Sequence, residues 1–126
     1  MTDKKPEELA GRTKRFALAI VRLYVGLPKS TVSYVLGGQV LKSGTSVGAH
    51  YREARRAKSD ADFISKIEGA LQELDETGYW LELLSDAGMV QKEIVAKLTT
   101  EADELISVFV TIVRRLKSNP AATPQG

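Results

Sequence analysis

Cysteine is missing from this chain of 126 residues, and histidine and tryptophan occur once each. Without a thiol there are no disulfide frameworks, thiolate nucleophiles, iron–sulfur clusters or cysteine-rich zinc sites, and the redox compartment cannot be read. A single histidine, His50, excludes His-rich metal sites, and any Ser/His/Asp device would have to use that residue. Long hydrophobic runs are absent too. The apolar stretch over 16–27 is about half a membrane span and is interrupted by Arg22. The opening MTDKKPEELAGRTKRF has no apolar core of the secretory type, so the expectation is a cytoplasmic protein without a membrane partner. What remains is one domain with 43% hydrophobic residues, able to bury a core unaided. Such a composition favours a module that binds or assembles over one that catalyses.

The net charge of +2 conceals segregation: residues 1–58 carry +8 and residues 59–87 carry −7. Two consequences are open at this level, complementarity within the chain or a basic surface offered to a polyanion.

Pro28, the stretch 56–59 and Gly88 divide the chain into four segments, none with strand alternation. They read as helices over about 8–27, 30–57, 59–87 and 91–117, with a flexible lead over 1–7 and a disordered tail over 118–126. In the first helix Phe16, Ile20, Leu23 and Leu27 form one apolar stripe, and Ala17, Val21 and Val25 form a second. Val32, Leu36, Val40, Val47, Tyr51 and Ala54 make the ladder of the second, which also holds Gly37, Gly38, Gly44 and Gly48. Each interior glycine costs about 1 kcal/mol relative to alanine, so four of them need a tertiary reason. Gly44 and Gly48 share a face, which marks a close approach by another helix or a partner subunit.

Ser59 with Asp62 has capping-box spacing. Behind it Phe63, Ile67, Ala70, Leu74, Thr77, Leu81 and Leu84 repeat at alternating spacings of four and three, the strongest periodicity in the chain. Gly88 is placed to cap that helix. The last helix would turn Ile94, Leu98, Leu105, Phe109, Ile112 and Leu116 inward, with Thr99-Thr100 as a place where it can break and restart. Short connections make consecutive helices antiparallel neighbours, and the expected fold is an all-α, up-down-up-down four-helix bundle.

Candidates for chemistry are few. His50 precedes Glu53 by three residues, the reverse of the Glu-x-x-His pairs of di-iron bundles, and one such pair builds no metal site. It reads as a polar residue bonded in a helix interface, so neither a metal nor a cofactor is expected. Glu68, Glu73, Asp75, Glu76, Glu82 and Asp86 fall mostly off the heptad seam and read as a solvated face. No phosphate-cradling glycine motif occurs. Arg52, Arg55 and Arg56, near Lys58, lie along one side of a helix end, and Arg12, Lys14, Arg15 and Arg22 of the first helix can join them. Clustered arginine suits phosphate contacts, although positive charge also complements a helix C-terminus. Tyr79 and Trp80 lack flanking Lys or Arg, which favours packing or a subunit contact over base stacking.

Three stretches, Lys42-Ser-Gly-Thr-Ser-Val-Gly-Ala-His-Tyr-Arg-Glu-Ala54, Ala61-Asp-Phe-Ile-Ser-Lys66 and Glu76-Thr-Gly-Tyr-Trp-Leu-Glu-Leu-Leu84, resemble the signatures of the bacterial four-helix-bundle protein family. That family includes proteins encoded in intervening sequences of large-subunit ribosomal RNA genes. The resemblance implies a subunit of a ring-like homopentamer without enzymatic activity or a small-molecule substrate. A related branch, the accessory proteins of diversity-generating retroelements, implies a reverse transcriptase and nucleic acid as partners. Two apolar stripes on the first helix and four glycines on the second independently exceed the needs of one core.

The leading expectation is therefore a non-enzymatic homo-oligomer that binds RNA or DNA, or a nucleoprotein, through Arg12, Arg15, Arg22, Arg52, Arg55 and Arg56. Gly44, Gly48, His50, Tyr51, Tyr79 and Trp80 are assigned to helix or subunit packing. The competing expectation is a protein–protein scaffold, or a reverse-transcriptase accessory subunit, whose basic strip is neutralised by its own acidic third helix. A hydrolase or metal enzyme centred on His50 is the third.

Overall fold

A computed structural model describes residues 4–118, with side chains from residue 8 onward. Among these residues four helices follow in order: α1 Lys4–Val25, α2 Thr31–Arg55, α3 Asp60–Asp86 and α4 Lys92–Ser118. The helix α1 already includes residues 4–7, placed in the flexible lead by the sequence pattern. Residues 1–3 of that lead, and 119–126 of the expected tail, lie outside the described residues. The helix α4 runs unbroken through Thr99 and Thr100.

Local chemistry explains the boundaries. Ser30 and Ser59 are N-caps in extended conformation, accepting hydrogen bonds from the Ser33 and Asp62 N–H groups at 3.1 Å each. Asp62 reaches back to accept from the Lys58 N–H at 3.2 Å, one residue before the N-cap N–H that a capping box would engage. At the end of α3, Gly88 takes φ +76, its N–H bonds to Ser85 O, and the Met89 N–H bonds to Leu84 O. This is a Schellman closure, and the left-handed residue at its centre favours glycine.

Consecutive helices pack as neighbours and α4 returns to α1, while the diagonal pairs α1/α3 and α2/α4 keep their backbones apart. The fold is an antiparallel, all-α four-helix bundle. Its centre holds Ile20, Val40, Val47, Ile67, Leu74, Leu81, Leu84, Leu105 and Phe109. Tyr51 packs its ring 5.7 Å from that of Phe109. The heptad seam of α3 is buried from Ile67 to Leu84, with Phe63 half-buried at its start. Thr77 is the polar member of that seam: its hydroxyl lies 2.8 Å from both the Ser43 hydroxyl of α2 and the Glu73 carbonyl.

Four expected core positions turn outward. Val21 and Val25, the second stripe of α1, are exposed, Val25 by 77%, with Leu18 beside them. Val32 opens its helix on the solvent side, and Ile94 is 45% exposed because Val95 is the residue that enters the core. The buried line of α4 is Val95, Leu98, Ala102, Leu105, Phe109 and Val113, with Ile112 and Leu116 at its margin.

The glycines of α2 set the spacing of the first two helices. A Cβ on Gly44 would stand 2.8 Å from Cγ1 of the fully buried Ile20, and one on Gly48 would stand 3.1 Å from Thr13 Oγ1. At Gly37 the clash would be with Leu27, at 2.7 Å. The close approach is thus made by α1 of the same chain. Gly38 points away, with nothing within 4 Å of a Cβ.

Two alanine substitutions should therefore have opposite signs. Gly38→Ala is expected to stabilise by about 0.5–1 kcal/mol through helix propensity alone. For Gly44→Ala, overpacking of about 1–3 kcal/mol against the branched Ile20 should outweigh the propensity gain and give a net loss. Urea titration of the two variants checks the pair, and equal effects would contradict the packing assignment.

Candidate nucleic-acid interface

Because α1 and α2 run antiparallel, the start of α1 lies beside the end of α2. Ala10 meets Arg52, Arg55 and Arg56 there around an open groove of about 680 Å³ that Glu53 also borders. The three arginines are held together because α2 ends at Arg55, with Arg56 as its C-cap, so they occupy its last turn and edge. Positive charge at that terminus also complements the helix dipole.

Ala10 and Arg52 continue into a second groove, whose other lining residues are Thr13, Lys14 and Ala17 of α1 and Thr45, Gly48 and Ala49 of α2. Small residues let the helices approach and leave a shallow floor, above which Lys14 and Arg52 are exposed. The Thr45 hydroxyl donates to Leu41 O at 2.7 Å, and the adjoining Ser46 hydroxyl donates to Lys42 O at 2.7 Å. These hydroxyls satisfy their own helix, so the cationic rim is what a ligand would meet.

The other candidate arginines do not join this group. Arg12 turns to α4, where its Nε–H donates to Glu101 Oε2 at 2.7 Å and its Nη2 group donates to Glu101 Oε1 at 3.0 Å and to Glu104 Oε1. The hydrogen bond that Arg12 donates to Glu101 is the main cause of a pKa raised above the ordinary arginine value; burial opposes it and is outweighed. Arg12 thus clasps the α1/α4 seam. Arg22 lies ten residues further along α1, about 15 Å by helical rise, well away from the arginine cluster. Arg15 is exposed, with its guanidinium over Gly11.

The acidic third helix forms side-chain ion pairs with His50, with Glu53 of α2 through Lys66, and with Lys117 of α4. His50 Nε2 sits 3.5 Å from Glu73 Oε2, while Nδ1 is buried without a hydrogen-bond partner against Gly69, where a Cβ would lie 2.9 Å away. His50 thus fits the α2/α3 interface and lines none of the grooves above. Trp80 is half-buried against the core with its Nε1 unpartnered, and Tyr79 beside it is 55% exposed with ring centroids 5.0 Å apart.

Glu101, Glu104 and Gly69 carry contacts that the sequence pattern does not single out, and Glu73, expected on a solvated face, turns half-buried toward His50. For the first two a signal existed: a Glu pair at three-residue spacing on one helix face can chelate a guanidinium.

Residues 8–110 match the family described as 23S rRNA-intervening sequence protein. The chain belongs to that family. A solved structure is similar throughout: a protein with unknown function from the S23 ribosomal protein family of Bacteroides thetaiotaomicron, 38% identical, covering 83% of this chain and 97% of its own, with a TM-score of 0.79. No match is found among curated proteins. The family match spans the grooves and the Arg12 clasp alike, and neither description names an enzyme. No described helix is long and apolar enough to cross a membrane.

If the clasp is structural, Arg12→Ala should lower stability by about 1 kcal/mol, modest because all three side chains remain partly exposed. Thermal melts with and without 1 M salt check it: the loss should shrink in salt, whereas a salt-independent loss would assign the effect to packing.

Proposed function

We propose that this family member is a non-enzymatic, homo-oligomeric bundle subunit, a closed pentameric ring being the favoured form, that holds RNA or a ribonucleoprotein at the α1/α2 face. The observation that carries the reading is the exposed cationic rim of Lys14, Arg52 and Arg56 above a floor of small residues. Such a surface admits a phosphate backbone closely while offering few directional donors for base identity, so binding is governed by counterion release. The description of the family through 23S rRNA intervening sequences agrees with an RNA-linked role. Six large apolar side chains exposed at one end of the α1–α2 hairpin, Leu18, Val21, Val25, Val32, Tyr34 and Val35, support self-association.

The non-enzymatic part rests on His50, whose two ring nitrogens face Glu73 and Gly69 instead of a groove. A second reading, a protein scaffold or a reverse-transcriptase accessory subunit without nucleic-acid contact, draws on the neutralisation of Arg12 by Glu101 and Glu104.

Binding to a structured RNA across a salt series separates the two. The Arg52→Ala/Arg56→Ala variant should lose affinity and reduce the log–log salt slope by about 0.7–0.9 for each phosphate contact removed. Arg12→Ala should bind like the parent chain. Absence of binding at low salt, or a slope unchanged in the double variant, would refute nucleic-acid contact at this face.

A further inference from the structure

The charge segregation has a partner to find. Between Lys14 and Val25 α1 carries three bases and no acid, and between Glu68 and Asp86 α3 carries six acids and no base. These stretches do not neutralise one another within the chain, because α1 and α3 lie on the diagonal of the bundle with their backbones apart.

Each stretch also presents its charge on a single outer face. On α1 the exposed residues Lys14, Arg15, Leu18, Val21, Arg22 and Val25 fall within one side of the helix at 100° per residue, opposite the buried Phe16, Ile20 and Leu23. On α3 the exposed Asp75, Glu76, Tyr79, Glu82 and Asp86 fall likewise, opposite Leu74, Thr77, Leu81 and Leu84. One strip is apolar and basic, the other is acidic around an exposed tyrosine. Glu68 is set apart from the second by its pairing with Lys117, and Glu73 by its turn toward His50.

We propose that the outer face of α1 in one copy docks on the outer face of α3 in a second copy, with Leu18, Val21 and Val25 against Tyr79 and with Arg15 and Arg22 meeting the acids that flank it. The proposal rests on the homo-oligomeric part of the proposed function and adds which surfaces meet. Charge complementarity selects the occupant: two basic faces, or two acidic faces, would repel, so α1 cannot dock on α1 nor α3 on α3. The contact is therefore heterologous. The pair keeps one unused face of each kind, and the pairing propagates until a ring closes. Arg15 and Arg22 then belong to the subunit contact, while Lys14 lies where that contact borders the α1/α2 groove and Arg52 and Arg56 stay on the groove side.

Sedimentation of purified chains in low salt tests the pairing, with circular dichroism to verify helicity. The parent chain should assemble, while Arg15→Glu/Arg22→Glu and, separately, Glu76→Lys/Glu82→Lys should fall to the mass of one chain, 13.8 kDa. A chain with all four reversals restores opposite charges across the contact and should regain the parent's mass. A parent that assembles but is insensitive to either reversal, or a fourfold variant that stays monomeric, overturns the α1–α3 contact while leaving self-association intact. A monomeric parent overturns both. An α1 reversal that abolishes RNA retention without changing mass assigns that face to the polyanion and overturns the docking.

Discussion

The close approach of α1 to α2 is the constraint from which the other features follow. It is possible because Gly37, Gly44 and Gly48 remove side chains where Leu27, Ile20 and Thr13 must sit. Fixing that pair sinks Ile20 to zero exposure and lays a floor of small residues along the outer seam. It also rotates α1 so that Leu18, Val21 and Val25 face outward. The helix propensity lost at these glycines is thus recovered as close helix packing, and the groove and the apolar strip are two results of one contact.

Around this pair the bundle divides its polar work by seam. The α2/α3 seam is joined by the Thr77–Ser43 hydroxyls and by His50 against Glu73 and Gly69. The α1/α4 seam has the sparsest packing in the bundle and is closed by Arg12 between Glu101 and Glu104. Electrostatics therefore serves cohesion at the thin seam and is left unbalanced on the outer faces of α1 and α3. A net charge of +2 is the remainder of two opposed surfaces, and such surfaces steer association more strongly than the total suggests.

The bundle was legible in the sequence wherever one pattern had a single physical meaning. The four-three repeat of α3 and the serine caps translated directly, because periodicity and capping are local properties. The start of α4 differs from the pattern at Ile94: within a first turn either of two adjacent apolar residues can lead the stripe, and Val95 is the one buried. The partner of Arg12 lay 89 residues away and depended on helix order. A basic half and an acidic quarter left both neutralisation inside the chain and a basic outer surface open, because the pattern does not show that α1 and α3 lie on the diagonal. Family membership, by contrast, was carried by contiguous stretches and needed no tertiary information.

The absence of cysteine makes the docking of these two outer faces between different copies directly measurable. One chain carrying Val21→Cys is mixed with another carrying Tyr79→Cys, and the mixture is treated with a short bis-maleimide. Covalent pairs should form that contain one chain of each kind, with each variant alone giving few. Pairs formed equally well by either variant alone, or none from the mixture while the parent chain assembles, would contradict it.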